Sequence, residues 1–119
     1  MRQWNIDPKL LCRKHLLGEH VECHMLVGAI NKGKRINGFI KKGLIQVHTT
    51  RKQHDKLATE MERRGYKHKS PLPEFESFRA GKVDQKKSIR DLGNRCSECR
   101  KNILTKLKRR RINGKVNVE

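Results

Sequence analysis

The densest group of reactive side chains runs from Cys12 to His24, in the order Cys12-Arg13-Lys14-His15-Leu16-Leu17-Gly18-Glu19-His20-Val21-Glu22-Cys23-His24. Thiols and imidazoles in one run invite a zinc reading. Residues 20–24 read His-x-Glu-x-His. A zinc-protease helix instead needs its glutamate adjacent to the first histidine, so that chemistry is excluded. Nor do the four cysteines form one site. On a continuous helix Cys12 and Cys23 stand about 16 Å apart, and one ion with thiolate bonds near 2.3 Å cannot span that distance. A smaller set would combine Cys96 and Cys99 with Cys23 or a histidine of the first helix. Both lie on an apolar stripe, however, where free cysteine behaves as a small hydrophobe. Cys-x-x-Cys without a second ligand pair is a weak metal motif. The sequence reading is therefore core packing, with no metal.

Glu22 carries a sharper signal. On a helical wheel it shares a face with Leu11, His15, Gly18, Met25 and Ala29, which puts a carboxylate on a mostly apolar surface. Such a group serves either as a catalytic acid and electrostatic partner or as a structural anchor for a basic side chain or a backbone group.

Positioning these side chains requires helices. Asp7-Pro8 reads as an N-cap followed by proline at the first helical position, and the helical pattern runs to about Ile30 with Gly33 beyond it. Its apolar residues occupy nearly every side, which predicts a first helix packed between the others. Residues 31–48 read as an ordered basic connector with short helical turns. A second helix starts at the capping box Thr50-x-x-Gln53 and stops at Gly65, where Tyr66 packs back on Met61. Pro71 and Pro73 mark a loop to about Gly81. A third helix spans about Asp84 to Arg110, with Ile89, Leu92, Cys96, Cys99, Ile103 and Leu107 as one stripe and a weak point at Gly93-Asn94. The expected fold is all-α: one compact domain over 1–119 with about three main helices.

The chain has 119 residues and a formal charge of +18. The excess is shared by residues 1–80 and 81–119, so a detachable tail does not explain it. A polyanion relieves such self-repulsion, and nucleic acid is the first candidate. No acidic residue falls between Glu22 and Asp55, whereas Lys32, Lys34, Arg35, Lys41, Lys42, Arg51 and Lys52 do. This stretch is expected to contact phosphates. The basic run from Lys106 to Arg111 is either a second contact or a helix end favoured by its dipole. No apolar run is long enough to span a membrane, and the first residues lack a signal-peptide stretch. A soluble, cytoplasmic, DNA-associated protein is expected, with reduced thiols.

Several short motifs together resemble a known family. Arg2-x-Trp4-Asn5, Lys14-His15-Leu16, Glu19-x-x-Glu22 and Arg51-Lys52 through Glu60 to Arg64-Gly65-Tyr66 are similar to the pyrimidine dimer DNA glycosylases of the phage endonuclease V type. The resemblance covers about residues 1–70; residues 71–119 form the loop, third helix and basic tail. It implies a compact all-α repair enzyme for ultraviolet photoproducts, with coupled glycosylase and abasic-site lyase activity and no metal or nucleotide cofactor. It places the nucleophile at the α-amino group of Met1 and the catalytic glutamate at Glu22. The family's early arginine and first-helix histidine correspond to Arg2 and His15, and the charge pattern places further DNA contacts at Arg13, Lys14, Lys32, Lys34, Arg35, Arg51 and Lys52. The implied partner is double-stranded DNA carrying ultraviolet damage, bound by a monomer. Two departures stand out: the arginines that flank the catalytic glutamate in the family correspond here to Val21 and Met25. Their loss, with the extreme charge, supports a rival reading as a non-catalytic nucleic-acid-binding protein, a nucleoid or ribonucleoprotein component on the same scaffold.

Overall fold

A computed structural model describes residues 1–68 and 70–118, with side chains as far as Lys108. The helices are α1 (Arg13–Asn31), α2 (Asn37–Lys41), α3 (Thr50–Arg63), α4 (Gln85–Arg95) and α5 (Ser97–Val118). No strand occurs among the described residues. Single 3-10 turns precede α1 at Pro8–Leu10 and α3 at Val47–Thr49.

The all-α expectation holds, and so does the placing of the first helix. Leu16, Cys23 and Val27 of α1 meet Leu57 and Met61 of α3, Leu92 of α4, and Cys99 and Ile103 of α5 in one core, with Trp4, Ile6, Leu10 and Leu11 closing it. Leu26 and Ala29 of the same helix enter a second cluster with Ile36, Ile45 and Val47 of the basic connector. Apolar side chains on several flanks thus give α1 a partner on several sides. One strip stays open: Val21 and Met25 are about half exposed (54% and 48%).

Helix boundaries depart from the sequence reading in three places, each for a local reason. Asp7 does act as a cap, but of the 3-10 turn, accepting from Lys9 N–H at 3.0 Å. The chain then straightens at Leu11 (φ −83°, ψ 137°), and α1 starts afresh with Cys12 as its N-cap residue. The capping box at Thr50 does not form. Thr50 Oγ1 instead donates to the Gln46 carbonyl, and Gln53 reaches back to the Ile6 carbonyl and to Glu19. The predicted third helix is two helices that break at Cys96 (φ −135°, ψ 114°), just beyond the weak Gly93-Asn94 pair. Arg100 Nε donates to the Gly93 carbonyl at 2.7 Å across that break.

The expected stop of α3 is present. Gly65 takes φ +85°, and Tyr66 N–H reaches the Met61 carbonyl at 2.8 Å. Glycine is required most strongly at Gly81, where φ is +82° and a Cβ would lie 2.2 Å from the Ile45 carbonyl oxygen. That close approach lets Val47 N–H bond the Ala80 carbonyl and holds the loop before α4 against the connector. In the basic tail, Lys106 pairs with Asp7 at 3.1 Å. The side chains of Arg109, Arg110 and Arg111 lie outside the described residues.

Candidate active site

The first five residues form no helix or strand, yet long-range hydrogen bonds pin them. Gln3 N–H donates to the Leu44 carbonyl at 2.7 Å. Its side chain is buried, donating to Thr50 Oγ1 and accepting from Gln46 N–H. The backbone N–H groups of Trp4 and Asn5 both donate to Glu19 Oε1, and Gln53 Nε2 donates to Glu19 Oε2 at 2.9 Å. Asn5 sits in the left-handed region (φ 55°), and its carbonyl accepts from Gln85. The Arg2 guanidinium pairs with Asp91 of α4 at 2.8 Å and lies 4.2 Å from the centre of the Trp4 ring.

These bonds carry the start of the chain along α1 to the level of Glu22. Arg2 N–H faces Glu22 Oε2 at 3.4 Å, so the carboxylate adjoins the first peptide bond. Met1 packs beside the cluster of Ile36 and Ile45. It opens onto a groove of about 490 Å³ whose apolar wall includes Val21, Met25, Ile36 and Phe39 and whose cations are Lys32, Lys34 and Arg35. Met1 and three cations therefore share one groove, and Glu22 adjoins the peptide bond that follows Met1.

The sequence singled out Glu22 for an apolar setting, but the buried carboxylate of α1 is Glu19, 1% exposed. Burial raises the Glu19 pKa above the ordinary carboxylate value, its hydrogen bonds oppose that, and the Glu22 charge adds to it. Glu19 is a positioning residue that sequence reasoning missed, as are Gln3, Gln53 and Asp91. The available signal was a second carboxylate one turn before Glu22 on the same helix.

Of the residues read as DNA contacts, Lys32, Lys34 and Arg35 line the groove beside Met1. Arg13 and Lys14 are exposed at the start of α1, with Arg13 5.3 Å from the Tyr66 ring centre. Arg51 is held by the Pro73 carbonyl and the Phe75 ring. Lys52 lines a separate cleft with Asp55 and Glu60. Arg2 is committed to Asp91 and Trp4. His15 turns away from the groove, with Nδ1 facing the sulfurs of Cys12 and Cys99 at 3.2 and 3.6 Å.

A family model described as pyrimidine dimer DNA glycosylase matches residues 1–74. The chain belongs to that family. No curated protein and no solved structure matches it. Membership indicates a DNA repair glycosylase and DNA as its partner. The matched region holds α1, α2 and α3 together with the pinned N-terminal segment, whereas α4 and α5 lie beyond it. No helix among the described residues is long and apolar enough to cross a membrane.

Four imidazoles cluster at one flank of this pyrimidine dimer glycosylase. His20, His24, His54 and His68 have ring centres 4.8–5.2 Å apart. His20 Nε2 and His68 Nε2 are 2.9 Å apart, a bond that needs one donor and one acceptor nitrogen and hence an unprotonated ring. Burial, followed by the neighbouring rings, pushes the His20 pKa down to about 4. Because the folded-state value lies below the ordinary one near 6.5, the unfolded chain takes up the proton first. The contribution of His20 is thus complete above about pH 6.5 and is lost as pH falls toward 4, up to about 3 kcal/mol. The melting temperature should drop across that window. His20→Gln should flatten the drop, and an unchanged pH slope in that variant would remove His20 as its cause.

Proposed function

We propose that the protein cleaves DNA at ultraviolet-induced pyrimidine dimers by coupled glycosylase and abasic-site lyase chemistry, with the α-amine of Met1 as nucleophile. The observation that carries this reading is the 3.4 Å approach of Arg2 N–H to Glu22 Oε2, which sets a carboxylate at the first peptide bond, next to the Met1 that opens onto a cation-lined groove. As a class, α-amines titrate about 2.5 units below lysine side chains, so a useful share is uncharged near neutral pH.

Exposed cations, with Lys32, Lys34 and Arg35 nearest Met1, hold the phosphates of a kinked duplex, and the damaged site opens to expose its sugar. The Met1 nitrogen attacks C1′ of the sugar bearing the 5′ pyrimidine of the dimer. The glycosidic bond breaks with its electron pair going to the base, which takes up a proton. Ring opening of the sugar gives an imine. Loss of a C2′ proton then expels the 3′ phosphate, and water releases the enzyme. Glu22 stabilises the positive charge that develops on the sugar and relays the protons. Each step uses the chain's own groups, without a metal or nucleotide cofactor. The protein works as a monomer.

Borohydride trapping on a duplex with a single cis-syn thymine dimer tests this directly. Untagged protein should give a covalent adduct that maps to Met1 and requires the dimer, and Glu22→Gln should trap far less. Val21 and Met25, exposed where the family carries arginines, favour a second reading as a non-catalytic binder on the same scaffold. That reading predicts tight, salt-sensitive DNA binding with no adduct on a dimer or an abasic site and no effect of Glu22→Gln.

A further inference from the structure

Cys12 and His15 of α1 meet Cys96 and Cys99 at the α4–α5 junction, and one ligand atom from each lies within 4.8 Å of all the others. Cys12 Sγ is 3.2 Å from His15 Nδ1 and 3.8 Å from Cys96 Sγ, while Cys99 Sγ is 3.6 Å from His15 Nδ1. A tetrahedral zinc with Zn–S near 2.3 Å and Zn–N near 2.0–2.1 Å has edges of about 3.8 Å between sulfurs and about 3.5 Å between sulfur and nitrogen. The side chains thus stand close to the corners of such a tetrahedron.

We propose that Cys12, His15, Cys96 and Cys99 form a closed, structural zinc site that clamps the start of α1 to the α4–α5 junction. The motif is two Cys-x-x-ligand pairs, Cys12-x-x-His15 and Cys96-x-x-Cys99, whose first members are 84 residues apart in the chain. In each pair the first ligand sits at a helix N-cap and the second in the first turn, so both helix dipoles point their positive ends at the thiolates. Cys12 N–H donates to Cys99 Sγ at 3.2 Å, the outer-shell bond that thiolate ligands commonly accept. Cys99 is fully buried and the other three ligands are half-buried. Four protein ligands leave no open position, which marks a structural site, not a catalytic one.

This ligand set adds a metal role to Cys96 and Cys99, which also pack in and against the core as the sequence reading expected. The distance argument that separated Cys12 from Cys23 still stands, since Cys23 is buried in the core. What changes is Cys12, which the break at Leu11 frees to turn toward Cys96. The imidazole cluster is the weaker metal candidate because its nitrogens already pair with one another, with the Ser70 carbonyl and with Asp55. The zinc site also bears on the terminus: α4 carries Asp91, which holds Arg2, and the His15 ring meets Trp4 edge-on at 6.2 Å between centres.

The full chain, purified in reductant, should contain one zinc per molecule by elemental analysis. Exchange with cobalt should give strong sulfur-to-metal charge-transfer absorption that Cys12→Ser and Cys96→Ser each diminish and Cys23→Ala leaves intact. To separate metal loss from misfolding of a cysteine variant, the native protein is also titrated with an organomercurial, which should release one zinc equivalent as the thiols react. Stripping the metal should lower the melting temperature by roughly 10 °C. Metal-free protein that melts unchanged in chelator, a cobalt spectrum without sulfur bands, or a Cys12–Cys96 disulfide in the isolated protein would each overturn the proposal.

Discussion

Acetylating the α-amine of Met1, or adding residues ahead of it, should reduce strand cleavage at a dimer to background while DNA affinity stays nearly constant. An amide nitrogen has its lone pair delocalised into the carbonyl and does not attack C1′, so no imine forms and the lyase step loses its substrate. Affinity behaves differently because it is distributed. Acetylation removes one positive charge from a chain of net +18, and the dependence of binding on salt should change by about one ion at most. Extension by a short neutral segment removes no side-chain cation. The comparison needs mass-verified termini, with nicking and equilibrium binding measured on the same dimer-containing duplex. Undiminished cleavage by a verified extended protein would remove Met1 as the nucleophile. Loss of both cleavage and binding would mean instead that the modified terminus no longer seats beside Glu22 and the groove.

The helical framework was legible in the sequence because it rests on apolar periodicity, and the all-round pattern of α1 translates directly into two cores. The breaks were not. Periodicity is blind to a single extended residue, and Leu11 and Cys96 each interrupt a stripe that continues in register beyond them. Those two residues decide the cysteine geometry: Cys12 at the N-cap of α1 stays about 16 Å along the helix from Cys23, and the extended backbone at Leu11 and Cys96 brings Cys12 to Cys96 at the α4–α5 junction. Glu22 was legible through its helical face and its resemblance to the family glutamate. Its setting was not, since the segment that covers it is the chain's own N-terminus, folded back through long-range bonds that leave no periodic trace. Gln53 shows the same limit. Its spacing from Thr50 fits a capping box, but a buried carboxylate and a free carbonyl on another segment are stronger claims on its amide. Likewise Arg2 and His15, placed at the DNA by the family resemblance, are drawn inward by Asp91, Trp4 and the sulfur cluster.

Glu19 is where removing one side chain should cost the most. Its two oxygens accept from Trp4 N–H, Asn5 N–H and Gln53 Nε2 in a site almost closed to water. Glu19→Ala orphans two buried backbone donors and one of the two Gln53 amide hydrogens and leaves a cavity, a loss of about 3–5 kcal/mol. Out of a total of about 5–15 kcal/mol for an ordinary domain, that is a large fraction. Glu19→Gln is milder by a stated mechanism. It removes a buried charge, which is favourable, and retains one oxygen for Trp4 and Asn5. Its new NH2 then faces the NH2 of Gln53, which cannot flip without turning its own oxygen toward the Ile6 carbonyl. One unpaired donor should cost about 1–3 kcal/mol. The protein's single tryptophan reports the outcome, since Trp4 is 8% exposed and its emission shifts to the red when the N-terminal segment detaches. Denaturant melts should rank wild type above Glu19→Gln above Glu19→Ala. The red shift should appear in native Glu19→Ala before global unfolding, with strand cleavage lost in parallel. An alanine variant that melts within about 1 kcal/mol of wild type with unshifted Trp4 emission would show that Gln3 and the Arg2–Asp91 pair hold the terminus without Glu19.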